Sequence, residues 1–189
     1  MCDIDNLSYV YHSTTATRLL KIRDEGVRPS GLSSRDRFER TITEFARKEG
    51  LSLPVTRQDC SFFHPTIEQA IDQTAFDLTG HADSPEFQLV DRQGIAVIDL
   101  SCVETVPYVG DFQLFSDVVD LTFMDQPDEA VNSESREDAV RTYIETLQPL
   151  TAFGSVEQLR DQYHLPEILI EGGVSQSAVV EVLFRKLIQ

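Results

Sequence analysis

The sequence predicts an α+β fold in one domain over residues 1–189, and two observations carry that expectation. Short runs of β-branched and aromatic residues alternate with longer segments whose apolar residues recur at three- and four-residue steps. No internal repeat, low-complexity tract or linker divides the 189 residues, and a chain of this length buries a core without disulfide or metal staples.

The first strand spans residues 4–12, where Tyr9-Val10-Tyr11-His12 delivers a histidine to the strand end. Ser13, Thr14 or Thr15 then caps a helix from Ala16 to Asp24 with an apolar stripe of Leu19, Leu20 and Ile22, and Gly26 stops it. Residues 33–50 predict a second helix, with Phe38, Ile42 and Phe45 on one face and Gly50 after the last basic residues. Pro54 breaks the chain ahead of a short strand from Arg57 to Phe63. Thr66, with Gln69 three residues on, forms a capping-box pattern for a helix that runs to about Leu78 and ends at Gly80. His81 to Gln93 is polar with one proline and reads as a loop.

Gly94 to Leu100 is a near-continuous apolar run of the buried-strand kind. Tyr108 to Val119 fits either strand or irregular structure, and the acidic residues 125–136 read as exposed and turn-rich. Glu137 to Leu147 is helical by the spacing of Ala139, Val140, Tyr143, Ile144 and Leu147. A short helix from Val156 to Gln162, a strand from Glu167 to Glu171, a turn at Gly172-Gly173, a turn or helix capped by Ser175 and a strand from Val179 to Leu183 follow.

Charge narrows the function. Asp and Glu number 32 against 16 Lys plus Arg, a formal net of -16, and the lysines are only Lys21, Lys48 and Lys186. An acidic, lysine-poor surface suits the high-salt cytoplasm of a halophile, where screening shortens self-repulsion. It argues against a broad phosphate-binding face for duplex nucleic acid. No apolar window reaches the length of a membrane span and no basic leader precedes it, so a soluble, cytoplasmic protein is expected. Cys2, Cys60 and Cys102 lack metal-ligand spacing; they are expected to be buried small thiols, with no metal site.

Three separated motifs then resemble one family. Tyr11-His12-Ser13-Thr14, a helix and Glu25-Gly26-Val27-Arg28-Pro29 resemble the opening of the ADP-ribosyltransferases. Ser61-Phe62-Phe63-His64, followed by Thr66, Glu68 and Ala70, resembles their second signature. Pro166-Glu167-Ile168-Leu169-Ile170-Glu171-Gly172-Gly173 resembles the third, in which a glutamate begins a strand. The order of the pieces is similar to that of the His-Tyr-Glu, diphtheria-toxin-like branch.

The resemblance implies a split β-sandwich of two small sheets flanked by helices, with NAD bound in the cleft between them. Such enzymes cleave the bond from nicotinamide to ribose and pass ADP-ribose to an acceptor, here an unknown protein or nucleic acid. The transition state carries oxocarbenium character, so a nearby carboxylate has electrostatic work to do. By resemblance that carboxylate is Glu167, with Glu171 on the same strand face as the alternative, and His12 completes the catalytic pair by holding the adenosine ribose. Ser13 or Thr14 fixes the nicotinamide side, and Arg28 and Arg57 neutralise the pyrophosphate. Phe62 stands where the family has a tyrosine stacked on nicotinamide, and a phenyl ring can stack as well. An intracellular effector of the toxin–antitoxin or phage-defence kind, neutralised by an antitoxin, fits the lone domain. The alternative is a catalytically inactive relative that binds a nucleotide or a protein partner.

Overall fold

Two antiparallel sheets meet, among the described residues, at a backbone bridge from Tyr11 to His64. A computed structural model of the chain describes residues 7–29, 36–72, 92–123 and 129–186. Within them β1 (Tyr9–Thr15), β3 (Arg92–Asp99) and β7 (Val179–Lys186) form a three-stranded sheet in the order β1-β3-β7. The other sheet runs β2-β6-β4-β5, from β2 (Cys60–Phe63), β6 (Pro166–Glu171), β4 (Tyr108–Asp111) and the two-residue β5 (Gln148–Pro149). The sheets touch where Tyr11 of β1 exchanges both backbone hydrogen bonds with His64, at 2.9 and 2.8 Å. The α+β class stands as expected.

Strand alternation sorts the side chains into two cores. Val10, Ala96 and Ile98 of the first sheet and Phe63, Val109, Ile168 and Ile170 of the second share one apolar cluster. That cluster is closed by Leu19 and Ile22 of α1 (Ala16–Glu25) and Leu159 of α6 (Val156–Gln162). The opposite face of the second sheet presents Cys60, Phe62 and Leu169 to α2 (Asp36–Glu49), α4 (Phe112–Phe123) and α5 (Glu129–Thr146). Ile42, Phe45, Phe115, Val140, Tyr143 and Leu147 fill that second core.

Several elements depart from the sequence expectation at their edges. β1 begins at Tyr9 and runs through Thr15, because Ser13 and Thr14 still pair with Ile95 and Gly94. Thr15 is the residue that caps α1, its hydroxyl accepting from the Arg18 N–H at 3.4 Å, and Gly26 ends the helix at φ 79°. Arg57–Asp59 is a 3-10 turn, not strand, so β2 starts only at Cys60. The undecided stretch after Tyr108 divides into β4 and α4, and Asp111 makes the corner: its carboxylate accepts from the Gln113 N–H at 3.0 Å. The expected acidic loop is helical from Glu129 onward.

The helix after β2, α3, begins at residue 67 and is described to 72. Thr66 caps it as expected, accepting from the Gln69 N–H at 3.2 Å. The Gln69 side chain does not complete a capping box; its amide instead donates to the Pro166 carbonyl at 2.7 Å. Ser175 makes no side-chain cap for the 3-10 turn Gln176–Ala178; its hydroxyl meets that of Ser177 at 2.7 Å. Cys60 is buried, as expected, whereas Cys102 is exposed, against the expectation of a buried thiol. Arg92 and Gln93, expected at the end of the loop from His81, already belong to β3, where they pair with Lys186 and Arg185. The expectations for Cys2, residues 4–6, 33–35, the residues to Leu78 and Gly80, 81–91 and 125–128 lie outside the described residues. Among the described residues no helix is long and apolar enough to cross a membrane.

Candidate functional site

Glu167 is the second residue of β6, and its neighbour on the same strand face, Leu169, points into the helix-covered core. Its carboxylate is therefore carried beneath α4 and α5, where it is 5% exposed. Arg57, on the 3-10 turn ahead of β2, reaches the same place and is 4% exposed. Arg57 Nη1 donates to Glu167 Oε2 at 2.6 Å and to the Tyr143 hydroxyl at 2.7 Å. Its guanidinium lies 3.8 Å from the ring centre of Phe115 and 4.4 Å from that of Phe62. The Tyr143 ring is 5.6 Å away, so the cation sits among three aromatic rings, within the range of cation–π attraction.

Burial alone would lower the Arg57 pKa, but the Glu167 charge, helped by Tyr143, outweighs it and holds the group above its ordinary value. Burial pushes the Tyr143 phenol up to about 12, against the pull of Arg57. The phenol thus stays protonated. Arg57 Nε and Nη2 are buried and have no hydrogen-bond partner among the described residues.

His12 sits on the other side of β2. It shares the strand face of Val10, which packs in the core between the sheets, and its ring meets Phe63 at 5.6 Å between centres. Its Nδ1 bonds the Phe62 carbonyl at 2.9 Å. A carbonyl only accepts, so Nδ1 carries the proton and Nε2 keeps the lone pair in the neutral ring. Burial lowers the His12 pKa, partly offset by that hydrogen bond and reinforced by Arg18. His64 next to it is lowered to about 4 by burial and by His12, and its Nδ1 has no partner among the described residues.

A scan against protein-family models finds no match for this sequence, and a search of the curated proteins finds no significant relative.

Of the residues singled out in the sequence, the structure brings Phe62, Arg57 and Glu167 together on one face of the second sheet. His12 meets this group through the backbone of Phe62, and its ring packs on Phe63, which belongs to the other core. Arg57 is buried against Glu167 rather than lining an open groove. Ser13 and Thr14 are partly buried in β1, and Arg28 is exposed just beyond α1. Glu171 is exposed at the end of β6, beside a surface cavity of about 260 Å³ shared with Cys102, Glu104 and the Gly172-Gly173 turn. Among the described residues no group of three His, Cys, Asp or Glu side chains is placed to hold a metal.

Phe115 and Tyr143 were not picked out as site residues by sequence. Tyr143 is visible only as one apolar position in the α5 stripe, and a tyrosine in such a stripe, whose hydroxyl needs a partner when buried, is the available signal.

Arg57 covers one face of the Phe62 ring and pairs with one oxygen of the Glu167 carboxylate.

Proposed function

We propose that this chain is an ADP-ribosyltransferase-like module that binds NAD or a related nucleotide without cleaving it. The two small sheets, bridged from β1 and flanked by helices, support the fold part of this reading. One observation carries the functional part: the Arg57 guanidinium occupies the space between Phe62 and Glu167. A carboxylate already paired with a resident cation has no free charge to offer a reacting sugar.

The experiment compares NAD with ADP-ribose, which lacks the nicotinamide ring. Thermal stabilisation by ADP-ribose at least equal to that by NAD, with no nicotinamide released by the wild type, is the expected outcome. Stabilisation by neither compound defeats the nucleotide-binding reading.

A second reading, an active NAD-dependent mono-ADP-ribosyltransferase, is favoured by the presence of Phe62 and Glu167 on one sheet face. Nicotinamide release by the wild type that disappears in Glu167→Gln would establish it in place of the first.

A further inference from the structure

The Arg57 contacts have a chemical form of their own. The group between Phe62, Phe115, Tyr143 and Glu167 is planar, positively charged and supplied by the chain itself. We infer that these four side chains form a site for a planar cation, with the Arg57 guanidinium as its resident occupant. A nicotinamidium ring belongs to the same chemical class; that extension rests on the function proposed above, while the planar-cation site itself does not.

Four features support the assignment. The rings of Phe62 and Phe115 both lie within cation–π range of the guanidinium carbon, at 4.4 and 3.8 Å. Glu167 supplies the balancing charge at 2.6 Å, and the Tyr143 oxygen a further acceptor at 2.7 Å. The occupant fits the charge better than it fits the hydrogen bonds, because Nε and Nη2 find no partner among the described residues. An arginine placed only to neutralise Glu167 would gain from satisfying those donors, since each unpaired buried donor is costly. Finally, the walls come from β2, β6, α4 and α5, whereas the occupant comes from the short turn before β2, so the occupant can be deleted without deleting a wall residue.

The test is chemical rescue. Arg57→Ala deletes the planar cation and strands Glu167, and ethylguanidinium restores the deleted atoms. At roughly ten times its dissociation constant, ethylguanidinium is expected to raise the melting temperature of Arg57→Ala by about 3–5 °C over matched sodium chloride. It should do nothing comparable for the wild type or for Arg57→Ala combined with Glu167→Gln. Ethylammonium, equally charged but not planar, should rescue weakly. If Arg57→Ala is unfolded alone, recovery of its circular dichroism in ethylguanidinium is the equivalent readout.

Absence of rescue in either form overturns the site, as does equal rescue by ethylammonium or by the double variant's own response. N1-methylnicotinamide and NAD, tested on the same variants, separate the two ideas. Rescue by ethylguanidinium with no response to NAD or ADP-ribose in any variant keeps the planar-cation site and rejects the nucleotide reading.

Discussion

Arg57 and Glu167 illustrate why a buried ion pair is weak grounds for claiming stability. Taking both charges out of water costs several kcal/mol per ion, and their attraction roughly returns it. What the pair does securely is fix where both side chains are, since breaking it leaves one charge buried alone. Neither half was legible as such in the sequence. Glu167 stands out there through its motif and Arg57 as a partner for a pyrophosphate, but their pairing with each other shows only once the fold closes over both.

The histidines at the junction give a prediction at the same scale. His12 and His64 both have folded-state pKa values below the ordinary 6.5, His64 at about 4, through burial. Below pH 6.5 the unfolded chain therefore takes up protons that the folded chain refuses. Stability present above pH 6.5 is lost as pH falls toward 4. For His64 alone the loss is about 2 kcal/mol by pH 5. Urea midpoints at pH 7.5 and 5 should show it, and His64→Gln should remove that share of the dependence. Equal slopes in wild type and variant would mean that the imidazole is not shielded as described.

At the scale of elements, the Val27–Val174 bridge joins the end of α1 to the turn after β6, with hydrogen bonds of 3.0 and 2.8 Å. Gly26 and Gly173 flank it at φ 79° and 80°, and a Cβ on either would overlap the facing backbone carbonyl. Gly172 has a similar φ of 71° but open space around it. Gly172→Ala should therefore cost only the left-handed backbone penalty of about 1 kcal/mol. Gly173→Ala should cost about 3 kcal/mol or more, because the overlap adds to that penalty. Denaturant titration of the two variants checks the difference, and near-equal losses would refute the close packing.

The strands and helices with clean periodicity were legible, as in α1, α5, α6 and the apolar run of β3. The corner after β4 was not. Asp111 defines it by accepting from the N–H groups of His164 and Leu165 as well as Gln113, at 2.8, 3.1 and 3.0 Å. Two of those partners lie over fifty positions away, where no local pattern can signal them. The Gln69 amide is similar: a capping-box pattern yields to a long-range bond with Pro166.

For the whole molecule, the formal charge of -16 sets the response to salt. The exposed pairs Lys48–Glu137 and Arg141–Glu49 link α5 to α2, but contacts of that kind are worth little and are themselves screened. Net self-repulsion dominates. Raising potassium chloride from about 0.1 M to about 2 M should therefore raise the melting temperature by roughly 5–10 °C. Calorimetry across that range tests it; a flat or falling melting temperature would show that the acidic surface does not strain the folded state.

The order of strands in the first sheet bears on how the protein is made. β3 is flanked by β1 from early in the chain and by β7, which closes only at Lys186. A nascent chain on the ribosome holds at most the β1–β3 pair, with one long edge of β3 unpaired and Ile98 and Ala96 still lacking part of their cover. Unpaired edges of this kind recruit other strands. The interval before β7 emerges is thus the one in which chaperone engagement matters most.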